Sequence, residues 1–433
     1  MDPELIGMIG VIVFLLLIFL RVPIAFAMMI TGLLGFSVIV SFRSSISMIS
    51  AEIFSSFSSY SLSVIPMFIW MGFIAYYSGV GKNLYSFAYK LIGHRKGGLA
   101  MATQIACAVF GAICGSNTAT AATMGAIALP EMRRYKYDDS LSSASVAAGG
   151  ALGVLIPPSV IFIVYGIQTE QSIGKLFLAG IIPGIILMLF YIAAIYIVVL
   201  RKPSLGPASE KFTWRERLSG LSNGLIEVIL TFMISLGGLF AGWFTPTEAG
   251  SIGTASILLI TILRRQIDWS GIKKSLIATV KTTSMIMLMV AGAMVFGRFI
   301  AVSRLPFSLA TWASELALPS FAVIILILLI YFVLGFVIDA LALILLTIPI
   351  FYPVAVNVLG YDPIWFGVII VLVVALGVIT PPVGMNVFII KGVAKDISVE
   401  TIFKGVTPFI IALFACIGLL LIFPGIVTFL PNL

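Results

Sequence analysis

Gly149-Gly150-Ala151-Leu152-Gly153-Val154-Leu155-Ile156-Pro157-Pro158-Ser159 is too apolar for a solvated loop and too rich in glycine and proline for a regular helix. Ala375-Leu376-Gly377-Val378-Ile379-Thr380-Pro381-Pro382-Val383-Gly384-Met385-Asn386 has the same character further along the chain. Proline removes an N–H donor and clashes with the preceding turn, so each stretch must break a helix and free carbonyls upstream. One reading is a pair of structural kinks. The other is a pair of interrupted helices whose freed backbone groups serve a ligand.

The surroundings are those of a membrane. Hydrophobic residues make up 61% of the 433 positions and charged residues 10%, with a mean hydropathy of +1.20. A soluble domain carries about a quarter charged residues, so lipid is the solvent for most of this chain. A bilayer core about 30 Å thick takes about 20 apolar residues per helix, which leaves room for ten or more spans. The apolar segments place them near 4–20, 23–42, 60–80, 143–165, 176–200, 221–242, 246–263, 276–301, 364–390 and 405–424. Leu5 to Leu20 reads as a retained helix, because Asp2 and Glu4 stand where a signal peptide is basic and no small-residue cleavage site follows. The net charge of +8 does not imply a nucleic-acid partner, since the basic residues lie in short runs between apolar segments, the positive-inside arrangement. Cys107, Cys114 and Cys416 show neither metal nor disulfide spacing, and the single histidine, His94, sits in a basic loop.

Two further apolar regions, 98–132 and 319–352, are broken in the middle by glycine and polar residues. Lys90, Arg95 and Lys96 precede the first, and Arg133, Arg134 and Lys136 follow it. Both clusters stay cytoplasmic only if the region enters the membrane and returns as a re-entrant hairpin. Carried along the chain, this topology puts outside only Arg43, Lys175, Arg298 and Arg304 of the 25 basic residues, with both termini outside. The chain also repeats itself at a spacing of about 220–225 residues. Leu155-Ile156-Pro157-Pro158-Ser159 recurs as Val378-Ile379-Thr380-Pro381-Pro382, Gly180-Ile181-Ile182-Pro183 as Gly405-Val406-Thr407-Pro408, and Pro23 is echoed by Pro246. Each copy holds five crossings and one hairpin, an odd number that turns the second copy upside down. The fold class expected is therefore an all-α polytopic membrane protein, with about ten transmembrane helices plus two re-entrant helical hairpins in two inverted-topology repeats. Repeat one covers 1–217 with its hairpin at 98–132, and repeat two covers 218–433 with its hairpin at 319–352. Inverted repeats with interrupted helices are the architecture of secondary transporters, with the site near the midplane where the copies meet.

The first hairpin turns at Gly115-Ser116-Asn117-Thr118-Ala119-Thr120. A helix broken inside the membrane leaves peptide groups that lipid cannot satisfy, and Ser116, Asn117 and Thr118 add neutral oxygens suited to a small hard cation or to a carboxylate. The plain alternative is a capped helix start, since these are ordinary N-cap residues. The second hairpin turns near Gly335-Phe336-Val337-Ile338-Asp339, where an aspartate in an apolar run is a functional candidate by default. Glu227 and Glu248, near span ends, read as interfacial. Gly81 to Gly93 reads as an amphipathic arm on the cytoplasmic surface, with Lys82 and Lys90 at the headgroups and Leu84, Phe87 and Leu91 at the acyl boundary. Ser303 to Leu318 is its counterpart outside, with Trp312 at the interface.

Together, Gly-Ser-Asn-Thr-Ala-Thr at 115–120, Ile-Pro-Pro-Ser at 156–159, Thr-Pro-Thr-Glu-Ala at 245–249 and Thr-Pro-Pro-Val-Gly at 380–384 resemble the large membrane (M, DctM-like) subunit of the tripartite ATP-independent periplasmic (TRAP) transporters. The resemblance covers essentially the whole chain, with several motifs in order. It implies an elevator mechanism of the ion-transporter-superfamily kind, in which a core from 98–165 and 319–390 moves against the remaining helices. It implies sodium-coupled import of a small organic anion across the bacterial inner membrane, with Na+ as the coupling ion and no other cofactor. It also implies two partners, a small four-helix (Q, DctQ-like) membrane subunit and a periplasmic substrate-binding protein. Carried over by motif, Ser116, Asn117, Gly153, Val154 and Pro157 would form one sodium site, and Asp339, Gly377 and Thr380 another. Asn117, Thr118, Pro158, Ser159, Asp339, Gly384 and Asn386 would meet the substrate, whether carboxylate, sugar acid or sulfonate.

Two other classes compete. An intramembrane serine protease needs a histidine at membrane depth, and His94 lies in a loop; no phosphate loop, metal-ligand cluster or aspartate pair suggests another enzyme. A channel needs a continuous polar path, whereas the polar residues here gather at two closed tips. The closer alternative is a one-component sodium–dicarboxylate symporter or exchanger that works without a binding protein.

Overall fold

The computed structural model describes residues 2–219, 225–315 and 318–433, and among them every regular element is helical. The first half runs α1 (Pro3–Phe19), α2 (Ile24–Ile39), α3 (Phe42–Ser58), α4 (Val64–Tyr77), α5 (Val80–Ile92), α6 (Gly98–Cys114), α7 (Asn117–Arg134), α8 (Asp139–Ala151), α9 (Val160–Thr169) and α10 (Ile173–Arg201). A linker with the single turn-and-a-half α11 (Trp214–Ser219) follows. The second half runs α12 (Leu225–Phe240), α13 (Pro246–Leu263), α14 (Trp269–Val302), α15 (Leu305–Glu315), α16 (Ser320–Leu334), α17 (Ala340–Tyr352), α18 (Pro363–Gly377), α19 (Met385–Val393) and α20 (Val399–Ile422), before a short α21 (Gly425–Thr428). From α5 and from α15 onward the order is the same: a short helix, a helical pair, an interrupted helix, a long helix.

Packing follows the same correspondence. α2 lies against α14, and their equivalents α13 and α4 lie against each other; α8 meets α20 as α18 meets α10; α9 meets α17 as α19 meets α7. Small residues let these backbones approach closely. A β-carbon on Gly292 of α14 would sit 2.6 Å from the Ala25 carbonyl of α2.

Among the described residues, six helical stretches are long and apolar enough to cross a membrane: Tyr60–Tyr77, Ile173–Arg201, Pro246–Leu263, Trp269–Val302, Ala340–Val358 and Val399–Ile422. Others in the expected spans are shorter; α1, with 17 residues, reaches about 26 Å at 1.5 Å per residue. The spans expected at 143–165 and 364–390 are each two helices, α8 with α9 and α18 with α19, separated by the double-proline segments.

One helix was not expected. The serine-rich residues 43–59 fall between the expected spans at 23–42 and 60–80, yet α3 (Phe42–Ser58) occupies them up to Ser58. Its polar side chains Ser45, Glu52 and Ser56 turn inward and are buried, while Phe54 and Phe57 are exposed. Helices α5 and α15 form within the two expected arms, of which residues 316–317 lie outside the described residues, but α5 differs in detail: Leu84 is buried in contact with the protein, because α5 packs its apolar face on α6 and α7. Trp312 on α15 is exposed. The Thr-Pro-Thr-Glu motif at 245–248 is a capping box: Glu248 Oε2 accepts from the Thr245 N–H at 2.8 Å, the Glu248 N–H donates back to Thr245 Oγ1, and proline takes the first helical position. The side chain of Glu227 lies outside the described residues. His94 sits in the turn between α5 and α6, where burial and then Arg217, Arg95 and Lys211 pull its pKa below the ordinary histidine value.

Candidate functional site

The first hairpin turns because α6 ends on Gly115 in the left-handed conformation (φ 61°), which costs glycine little. A β-carbon there would also lie 2.7 Å from the Pro158 carbonyl. Ser116 then caps α7, its Oγ accepting from the Ala119 N–H at 3.3 Å and lying 3.1 Å from Thr118 Oγ1. Thr120 donates its hydroxyl to the Ser116 carbonyl at 2.7 Å. The first break docks directly on this tip. A β-carbon on Gly153 would meet Thr120 Oγ1 at 2.7 Å and the Ser116 carbonyl at 2.8 Å, and one on Gly111 would meet the Gly153 Cα at 2.6 Å. Oxygens of Ser116 and Thr120 therefore face Gly153 with no side chain between them.

The second hairpin repeats the device with different chemistry. Asp339 caps α17, accepting from the Leu341 N–H at 3.1 Å. Gly335 packs against Gly377, where a β-carbon would come within 2.7 Å of the Gly335 carbonyl. The same sequence offset separates Gly111 from Gly335 and Gly153 from Gly377. Thr380 returns its hydroxyl to the Leu376 carbonyl at 2.6 Å, inside its own break. The halves also meet directly: Asn117 Nδ2 donates to Asn386 Oδ1 at 3.5 Å, and Asn386 Nδ2 donates to the Ala147 carbonyl at 2.9 Å.

Both tips open on one cavity of about 640 Å³. Ser116, Asn117, Thr118, Val154 and Asp339 line it, and α4 and α14 close the far side with Tyr76, Thr282 and Met285 among others. First-turn residues of four helices reach it: Asn117 and Thr118 of α7, Val160 and Ile161 of α9, Ala340 and Leu341 of α17, and Met385 of α19. A helix N-terminus presents N–H groups and up to about half a positive charge, so four of them bring partial positive charge to the chamber without a lysine or arginine. Asp339 is the one charged side chain lining it among the described residues.

The other expected residues lie off this cavity. Gly153 stands behind the first tip. Pro157, Pro158 and Ser159 are buried, and Ser159 caps α9 while donating to the Val154 carbonyl at 2.6 Å. Gly377 and Thr380 belong to the second break, Gly384 caps α19 in a left-handed conformation, and Asn386 reaches the cavity only through Asn117. Thr120, Tyr76 and Thr282 were not singled out from sequence. Thr120 had a signal, its place in the first tip; Tyr76 and Thr282 had none.

Two solved structures that share this fold are transporters. The Alcanivorax borkumensis YdaH transporter superposes with a TM-score of 0.61 at 14% identity, covering 87% of this chain and 88% of its own. The Neisseria gonorrhoeae MtrF efflux pump does so at 0.56 and 16%, covering 88% and 84%. The family is set by sequence: residues 11–426 match the DctM component of the tripartite ATP-independent periplasmic transporters. The Pseudomonas aeruginosa C4-dicarboxylate TRAP transporter large permease protein DctM is 35% identical over 90% of both chains. The Vibrio cholerae sialic acid large permease SiaM is 32% identical over 96% of both. The isethionate permease protein DctMQ of Oleidesulfovibrio alaskensis is 32% identical over 96% of this chain and 65% of its own. The chain belongs to this family, and is a multi-pass membrane permease component.

Proposed function

We propose that the protein imports a small organic anion across the bacterial inner membrane, coupled to sodium and by an elevator movement, with both termini periplasmic. The convergence of four helix N-termini and one carboxylate on a single cavity carries this reading. The N-termini suit an anion, but Asp339 would repel it unless a cation lies between them. Neutral oxygens at Ser116 and Thr120 beside Gly153 suit sodium at the first tip, and Asp339 with the segment from Gly377 to Thr380 suits it at the second. Relatives are named for C4-dicarboxylate, sialic acid and isethionate, a spread consistent with a cavity whose recognition rests on backbone dipoles.

The moving core comprises 98–165 and 319–390, and the remaining helices, with α2 on α14 and α13 on α4, form the scaffold. A periplasmic binding protein delivers the anion, and a small four-helix subunit completes the membrane complex; the extra third of the DctMQ chain fits such a subunit joined to the large one. The test is uptake of labelled succinate, N-acetylneuraminate and isethionate into proteoliposomes with the binding protein outside. Uptake of one of them should require inward sodium and the binding protein. Uptake driven by a pH gradient alone would overturn the coupling, and uptake that ignores the binding protein would favour a one-component carrier.

A further inference from the structure

Helix α14 borders the tip cavity from Thr282 to Met289, and one turn further, from Ala293 to Ala301, it borders a second and larger one of about 840 Å³, which Arg304, just past the helix end, also lines. The opposite walls are Glu52 of α3, Phe307 of α15, Gln168 near the end of α9, Pro349 near the end of α17, and Asn357 beyond the second hairpin. No residue of either tip or either break lines it. At 1.5 Å per residue the two stretches of α14 that border the cavities are centred roughly 17 Å apart.

Two arginines face this second space. Arg298 donates Nε to Glu52 Oε1 at 2.6 Å; the glutamate is buried, while the arginine side chain is 64% exposed, so Glu52 fixes one edge of the guanidinium and leaves the other open. Arg304 is exposed, with no ion-pair partner among the described residues. Gln168 adds a buried amide oxygen with no hydrogen-bond partner, and the amide can equally turn its NH2 inward. With one carboxylate already engaged, the lining has a cationic excess and amide groups. A guanidinium matches a carboxylate or sulfonate by paired N–H bonds, and in a cleft it raises the local concentration of anions. Loop charges place this end of α14 outside, where basic residues are disfavoured, yet two of the four outer basic residues meet at this one cavity.

We propose that the second cavity is an entry site for the organic anion, in which Arg304, with Arg298 held by Glu52, takes the carboxylate or sulfonate group before it passes along α14 to the tips. The proposal rests on the transport reading for its direction, but its binding chemistry can be tested without transport. Ala301 is exposed on the cavity wall, and the three native cysteines are buried. In the full chain in lipid nanodiscs, Ala301→Cys is labelled with an anionic sulfonate-bearing methanethiosulfonate or its cationic trimethylammonium analogue, with unsubstituted protein as the blank. The anionic reagent should be favoured several-fold over the ratio seen with free cysteine, as one unpaired charge on the same cavity wall in a water-like dielectric gives. Arg304→Gln should abolish that preference and Arg304→Lys should keep it. Millimolar sodium isethionate, against sodium chloride of equal ionic strength, should slow the anionic reagent in the Arg304 protein and not in Arg304→Gln. Arg298 is left intact, because its loss would strand a buried carboxylate. Equal reactivity of the two reagents overturns the proposal, as does a preference that survives Arg304→Gln; a preference without protection by isethionate reduces the cavity to arginines serving headgroups and also overturns it. Sodium-driven uptake with no charge preference at position 301 retires this site alone, whereas isethionate protection with sodium-independent uptake retires the coupling alone.

Discussion

The two double-proline segments share a sequence pattern but not an environment. From Leu152 to Ser159 the first is buried except for a half-exposed Ile156, whereas Pro381, Pro382 and Val383 of the second are exposed. The packing explains the difference. The first break is gripped by Gly111 and Gly115 of its hairpin and by α10, where a β-carbon on Gly180 would come within 2.5 Å of the Leu155 carbonyl. The second is held through Gly335 on one side and by Phe403 of α20 against Gly384 on the other. Equivalent positions in two copies therefore need not do equivalent work at one moment. In the transport reading, alternating access needs the path on one side of the site closed while the other is open, and two inverted copies packed differently supply such an asymmetry.

The strongest way to break this comparison is Asp339→Asn. Asparagine caps a helix about as well as aspartate, so a purely structural role leaves sodium-driven uptake at its normal rate, while a role in neutralising a cation abolishes it. Initial uptake rate against sodium concentration decides. Next come Gly153→Ala and Gly377→Ala, each placing a β-carbon within 2.7–2.9 Å of hairpin atoms. Each should cost about 1–3 kcal/mol of stability, read by thermal unfolding, and only a comparable loss in both supports equal roles for the two breaks. Asn386→Ala should cost about 1–3 kcal/mol, because it removes the amide hydrogen bond to the buried Ala147 carbonyl and leaves the buried Asn117 amide without its acceptor, and it should loosen the enclosed first tip more than the open second break, read by hydrogen exchange at α7 and α19.

The smallest effect concerns the tie between the open half and the first hairpin. Arg133 at the end of α7 reaches Asp396 after α19 at 2.5 Å. Its hydrogen bond holds the Asp396 carboxyl below the usual carboxylate range. A depressed folded-state pKa gives stability that is present above about pH 4 and is lost as the pH falls through the folded value. Asp396→Asn should therefore lower the melting temperature slightly at neutral pH and low salt, and the gap from the unsubstituted protein should close on acidification or at high salt. A gap that persists under both conditions would mean packing, not charge, joins these elements.

The features legible in sequence were those that contradict their surroundings. Glycine and proline inside apolar runs marked both breaks, and Ser116, Asn117 and Asp339 marked both tips, because polar atoms at membrane depth need a reason. α3 escaped because its serines and Glu52 average out the signal of a helix whose polar side faces inward. The walls at Tyr76 and Thr282 escaped because a polar residue on a long span carries no local mark of what lies opposite. The Asn117–Asn386 contact escaped for the same reason, since no spacing rule joins two asparagines in different halves.

That contact has a consequence for how the chain is made. Asn117 and Asn386 are 269 positions apart, so at about 5–20 residues per second the second is synthesised roughly 15–50 s after the first. For that interval the first tip sits in the membrane with a buried amide whose partner does not yet exist. Its break, its hairpin and its capped helix can form early, but the tip settles only when nearly nine-tenths of the chain has left the ribosome. The first half is thus an insertion unit that cannot finish folding by itself, and a chain stopped before α19 would expose an unmet polar group to lipid or to the cell's quality control.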